Sequence, residues 1–156
     1  MKKYEFDRID FKLLDLLQKD ARLSNKQLAS AVNLAQSSCH ERLKRLWASG
    51  VIKTAKAHLD SEKIGFTISA FFMIGIAKHE QQTIDLLLDE MHIIPEVQAS
   101  FLITGRYDLM VQVIALDMTH LRDLAYQHFT HRTVITRFET SIIYQGRENF
   151  SIPLDT

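Results

Sequence analysis

Residues 24–50, SNKQLASAVNLAQSSCHERLKRLWASG, decide how the amino-terminal part of this chain folds. Ser24 with Gln27 three positions on makes a capping box, in which each residue satisfies a free N–H at a helix start. The spacing predicts a helix over 25–32 that buries Leu28, Ala29 and Val32. Asn33 ends it, because asparagine is the residue after glycine that best tolerates a left-handed turn. A further helix is predicted over 36–49 and stops at Gly50, a natural carboxy-terminal cap. Upstream, DRIDFKLLDLLQKD (7–20) reads as an amphipathic helix with Asp7 as N-cap and Ile9, Leu13, Leu16 and Leu17 at helical spacing.

Three helices with a turn of about four residues between the last two form a helix-turn-helix pattern. In that arrangement the second helix crosses the phosphate backbone and the third lies in the major groove, which is wide enough to admit one. Cys39, Leu43, Leu46 and Trp47 make an apolar stripe along the third helix. That leaves Ser37, Ser38, His40 and Glu41 placed toward base edges, and Arg42, Lys44 and Arg45 toward phosphates. Ser24 and Lys26 on the second helix and Gln36 at the start of the third complete the candidate DNA-binding set. Charged helix faces also serve solubility alone; the short turn and the basic neighbours are what favour duplex DNA.

The net charge of zero conceals an asymmetry. Residues 1–58 carry 12 Lys and Arg against 6 Asp and Glu, and residues 59–156 carry 7 against 13. A basic module joined to an acidic one supplies the sequence-independent part of DNA binding and keeps the remainder off the phosphates. A single cysteine, Cys39, rules out an internal disulfide framework and suits a reducing compartment. The first ten residues lack the apolar core of a signal peptide, and the longest apolar run, 70–77, is too short to span a bilayer. A soluble, cytoplasmic protein with no membrane partner is expected.

After Gly50, VIKTAKAHLD alternates weakly and reads as a strand. It opens a connection of about 51–66 between a helix-turn-helix domain over 1–58 and a second domain over 67–156. The second domain is written as strand (68–77), helix (81–93, stopped by Pro95), strand (97–104), strand (109–116), helix capped by Asp117, and strand (134–144). This βαββαβ order is the ferredoxin-like split arrangement, an antiparallel sheet with both helices on one face. In the first strand Ile68, Ala70, Phe72, Ile74 and Ile76 point one way, and Phe71, Met73, Gly75 and Ala77 the other. Both sets are apolar, whereas a sheet with one wet face alternates cleanly. The second face is therefore expected to meet another subunit, giving a homodimer.

The stretches FDRIDFKLLDLLQKDARLSNKQLASAVNL, CHERLKRLWASGVIKTAKAHLD, PEVQASFLITGRYDLMVQV and ETSIIYQ, in this order and spacing, resemble the Lrp/AsnC family of transcription regulators over nearly the whole chain. The resemblance implies an α+β architecture: a winged helix-turn-helix domain followed by a βαββαβ effector-binding and oligomerisation domain. It also implies promoter DNA as partner, dimers that assemble to tetramers or octamers, and an amino-acid effector. Where family members usually have a serine cap and often a proline, this chain has Ala35 and Gln36. Arg42 matches the family's arginine and is assigned to backbone contacts or to orienting the helix. The GRYD turn matches the family loop where effector contacts cluster, so Gly105, Tyr107 and Asp108 carry over as effector-binding candidates, with Thr140 from the last strand. Arg106 is not a usual feature of that loop and is a candidate for the ligand's side chain or a partner subunit.

In chemical terms, a zwitterion needs an anion site and a cation site a few ångströms apart. Gly105 would leave its N–H accessible to a carboxylate, Asp108 would face an ammonium, and Tyr107 would supply a wall. The same residues also suit an ordinary hairpin in which Asp108 caps free N–H groups.

The rival readings are a small-molecule-binding oligomer with no operator specificity, against which the basic first module argues, and an enzyme or metal sensor. Seven histidines invite the latter, and His128 and His131 lie three apart. Zinc needs three or four ligands converging at about 2 Å, and no Cys pair or His-Glu-x-x-His joins them. No catalytic residue, metal site or cofactor is therefore expected.

Overall fold

The computed structural model describes residues 5–77 and 81–154, which form two compact units. The first comprises residues up to His58 together with Arg147 onward; the second is Leu59–Gly146. The last residues thus belong with the first unit, whereas the sequence assigned all of 67–156 to the second domain. The reason is packing: Leu154 sits against the helical core of the first unit.

In the first unit, α1 (Arg8–Lys19), α2 (Asn25–Ala31) and α3 (Gln36–Ala48) follow the expected order. Asp7 caps α1 by accepting from the Ile9 and Asp10 N–H groups at 2.9 Å, and Asp10 returns the bond to the Asp7 N–H at 3.1 Å. Ser24 and Gln27 form the reciprocal box on α2. Asn33 has φ of 55° and Gly50 φ of 78°, as the two helix ends require. Ala35 caps α3 without any side-chain bond.

Leu13, Leu14, Leu28, Ala29, Val32, Cys39 and Leu46 form the core of this unit. Trp47 does not join it: expected in the apolar stripe, it is 45% exposed. The strand expected over 51–60 is also absent. Apart from half-buried Ile52, every one of those residues is exposed, so no apolar face drives pairing.

In the second unit a 3₁₀ turn (Glu62–Ile64) leads into β1 (Ile68–Ile76), α4 (Gln81–His92), β2 (Val97–Leu102), β3 (Leu109–Ala115), α5 (Met118–Ala125) and β4 (Ile135–Ile142). The sheet order is β2-β3-β1-β4 with every pairing antiparallel, which is the ferredoxin-like arrangement. Asp117 caps α5 by accepting from the His120 N–H at 2.8 Å.

A π-helical turn, Tyr126–Thr130, extends α5. Because that turn is wide, Leu124 and Phe129, five residues apart, both reach the core. Phe129 stacks edge-on to Phe72 at 5.0 Å, and Phe72 meets Phe138 at 4.9 Å. One sheet face is thereby sealed by Ile84, Leu87, Met91, Leu121 and Leu124. On the other, Phe71 and Met73 of β1 stand half-buried beside Gln112 and Met110 of β3.

Candidate functional site

The recognition-type helix α3 is positioned by two ties. Asn25 Nδ2 donates to the Gln36 carbonyl at 2.9 Å, fastening the start of α3 to α2. Arg42 Nη1 lies 2.6 Å from Asp7 Oδ2 and 3.0 Å from Asp10 Oδ1, fastening its middle to α1. Asp10 is buried, at 1% exposure, and was not singled out in the sequence because its partner Arg42 lies 32 positions away.

The backbone N–H of Asp10 and then the Arg42 guanidinium hold the Asp7 carboxyl below its ordinary range. The two carboxylates in turn raise the Arg42 value. Both ion pairs of Arg42 are thus made to residues at the start of α1. Burial raises the Cys39 thiol, as befits a small core residue.

The other nominated side chains, Lys26, Gln36, Ser37, Ser38, His40, Glu41, Lys44 and Arg45, are exposed together with Ser24. Ser24 is exposed but its hydroxyl is engaged in the α2 cap, bonding Gln27 Oε1 at 2.7 Å.

The turn residues of the second unit are split by the fold. Gly105 has φ of 123° and open space where a Cβ would stand. Tyr107 is buried, its hydroxyl bonded to the Glu139 carboxylate, which raises the phenol above its ordinary value. The Arg106 and Arg137 guanidinium carbons lie 5.4 and 5.8 Å from the Tyr107 ring centre, and Arg137 Nη1 donates to the Arg106 carbonyl at 3.2 Å.

Asp108 is tied into the sheet. Its Oδ2 accepts from the Ile76 N–H, and its main chain bonds Ile74 and Ile103, all at 2.8 Å. That side-chain bond thus caps an N–H of β1 and not one of the turn's own N–H groups. Gly75 nearby leaves little room for a side chain, since a Cβ would come 3.1 Å from Arg137 Cβ.

Thr140 does not join this cluster. It lines a shallow apolar groove between α5 and β4 with Met118, Leu121, Ala125, Tyr126 and Ile142. Its neighbour Glu139 turns toward Tyr107 instead, as alternation along a strand requires. Arg137 and Glu139, the partners of the turn, were missed because register across four strands cannot be read from one sequence. His128 is half-buried and His131 packs on Tyr126 at 4.1 Å; no group of three or more metal-ligating side chains occurs among the described residues. Nor is any helix among them long and apolar enough to cross a membrane.

A helix-turn-helix unit with an exposed third helix, joined to a ferredoxin-like domain, defines a two-part transcription regulator. Residues 6–53 match the winged helix-turn-helix DNA-binding family, and residues 69–148 match the Lrp/AsnC ligand binding domain. The chain belongs to the Lrp/AsnC family of transcriptional regulators. It is 38% identical over 128 residues to the DNA-binding transcriptional activator DecR of Escherichia coli K12, covering 82% of this chain and 81% of that one. It is 30% identical to the transcriptional regulator AzlB of Bacillus subtilis over 96% of each. Among solved structures, a transcriptional regulator of Neisseria meningitidis in complex with L-Met matches with a TM-score of 0.88 at 27% identity, covering 96% of this chain and 97% of that one. Escherichia coli AsnC shares the fold, with a TM-score of 0.84 over 96% of this chain and 99% of that one at 21% identity.

Proposed function

We propose that the chain reads duplex promoter DNA through α3 and that a small effector, an amino acid, bound in the second unit modulates DNA binding or assembly. The observation that carries the first part is the division of α3: Cys39 and Leu46 are buried, Arg42 is held by α1, and Ser37, Ser38, His40, Glu41, Lys44 and Arg45 are exposed. Base contacts specify and phosphate contacts position. The serines, His40 and Glu41 read bases, while Lys44 and Arg45, with Lys26 on α2, meet phosphates.

The effector reading rests on the Gly105–Asp108 turn with Arg106, Arg137 and Glu139 around Tyr107. The L-Met held by the Neisseria neighbour supports an amino acid as the class. Asp108, already bonded to the Ile76 N–H, orients the turn in this reading, and the exposed Gly105 N–H and Arg106 meet the ligand.

The open sheet face around Phe71, Met73 and Met110 is where a second copy docks, giving a homodimer that builds tetramers or octamers. A two-fold dimer reads a pseudo-palindromic operator, because its paired helices share that symmetry. The protein acts in the cytoplasm by binding and not by catalysis.

A thermal-shift screen against the twenty amino acids tests the effector reading. A ligand of the folded state raises the midpoint by mass action; no shift with any of them rejects an amino acid as effector.

A further inference from the structure

The two family matches end at residues 53 and 148, and neither extends to the segment that closes the first unit. Residues 149–154, NFSIPL, form neither helix nor strand and belong to that unit. Gln18 near the end of α1 grips Ile152 on both sides of its peptide. The Gln18 Nε2 donates to the Ile152 carbonyl at 3.1 Å, and the Ile152 N–H donates to Gln18 Oε1 at 2.7 Å. One side-chain amide therefore imitates the paired bonds that a neighbouring β-strand would offer to one residue. Two residues on, Leu154 packs on the helical core that also holds Leu13 and Leu28. Two residues before, the Phe150 ring lies 5.3 Å from that of His58, at the chain's exit from the first unit.

We propose that the Gln18 face of α1 is a docking site for an extended peptide and that its occupant is residues 149–154 of the same chain. The DNA-binding domain is then built from two segments, not one. The segment acts as a strap on α1, the helix that carries the Asp7 and Asp10 anchors of Arg42. Through residues 143–146 the strap is continuous with β4, the strand that bears Arg137, Glu139 and Thr140. The DNA-binding domain is thus joined to the effector domain by a second covalent path besides the connection after Gly50.

Hydrogen exchange on the full-length protein tests this without DNA or effector. Gln18→Ala removes both bonds while placing the best helix former in α1, so lost helix propensity cannot explain an effect. The α1 amides are expected to exchange about tenfold faster in Gln18→Ala, and faster still in a chain ending at Gly146. Gln18→Glu keeps the acceptor for the Ile152 N–H and loses the donor, so it falls between. Amides of β1 and β3 keep their protection in all three. Unchanged α1 exchange in Gln18→Ala, or protection lost equally from β1, β3 and α1, overturns the proposal. Loss of α1 protection on diluting the wild type below its association range would assign the site to a second copy's tail and overturn the same-chain occupant.

Discussion

Arg42 of α3 and Asp10 of α1, thirty-two positions apart, are joined by a 3.0 Å ion pair whose carboxylate is almost wholly buried. Removing one partner of such a pair leaves the other unpaired in a dry site, which costs more than the pair contributes. Arg42→Ala is expected to destabilise the first unit by about 2–3 kcal/mol, below the ~3–5 of a fully buried pair because Arg42 keeps some access to water. Urea melts followed by the Trp47 fluorescence check this; a loss under ~0.5 kcal/mol would place Arg42 among ordinary surface ion pairs.

The same anchor gives a pH dependence. Asp7 has its folded-state value lowered from the ordinary 3.8. Its contribution to stability is therefore present above that ordinary value and is lost as pH falls through the depressed one. The stability difference between wild type and Asp7→Asn should hold from about pH 7 to 5 and narrow below about pH 4. Thermal melts of both proteins across that range measure it, and a difference that stays constant down to pH 2 would detach Asp7 from the anchor.

Asp108 is expected to serve the sheet before it serves a ligand. Asp108→Ala strands the Ile76 N–H in a part-buried place and should destabilise the second unit by about 1–3 kcal/mol. Asp108→Asn retains an acceptor and should cost less, with effector affinity nearly preserved in calorimetry. If Asp108→Asn abolished binding while leaving stability intact, the carboxylate would be a direct ligand contact.

Local signals in this sequence carried much of the architecture. The Ser24–Gln27 box, Asn33, Gly50, Pro95 and the Asp117 cap each mark a helix boundary by chemistry acting over three or four residues. The alternation of Phe72 and Met73 likewise showed that β1 carries apolar side chains on both faces. What could not be read depends on distant pairing. Nothing local ties Asp10 to Arg42 or Glu139 to Tyr107, since each pair is 32 positions apart. Thr140 was grouped with the 105–108 turn on resemblance, yet its strand neighbours alternate faces and it lines the α5 groove. Residues 51–60 carried a weak strand pattern, but exposure on both sides gives them nothing to bury.

The open sheet face gives the test of assembly. Met73 is half-buried beside Met110 on the face opposite α4 and α5. In a dimer built on that face, Met73→Asp buries an unpaired carboxylate at a cost of about 3–5 kcal/mol. Light scattering is expected to show monomers with the helical core intact by circular dichroism. An unchanged dimer of unchanged stability would move the interface elsewhere.

The most direct test of the whole account is a salt titration of duplex DNA binding by fluorescence anisotropy, comparing wild type, Lys44→Ala and Arg42→Ala. Each phosphate contact contributes about 0.9 to the slope of log affinity against log salt. Lys44→Ala should weaken binding to all sequences alike and flatten the slope by about one. Arg42→Ala should weaken binding at an unchanged slope, because its guanidinium orients α3 and does not meet a phosphate. A flattened slope in Arg42→Ala with none in Lys44→Ala, or wild-type binding that ignores salt, would contradict the orientation of α3 on which the account rests.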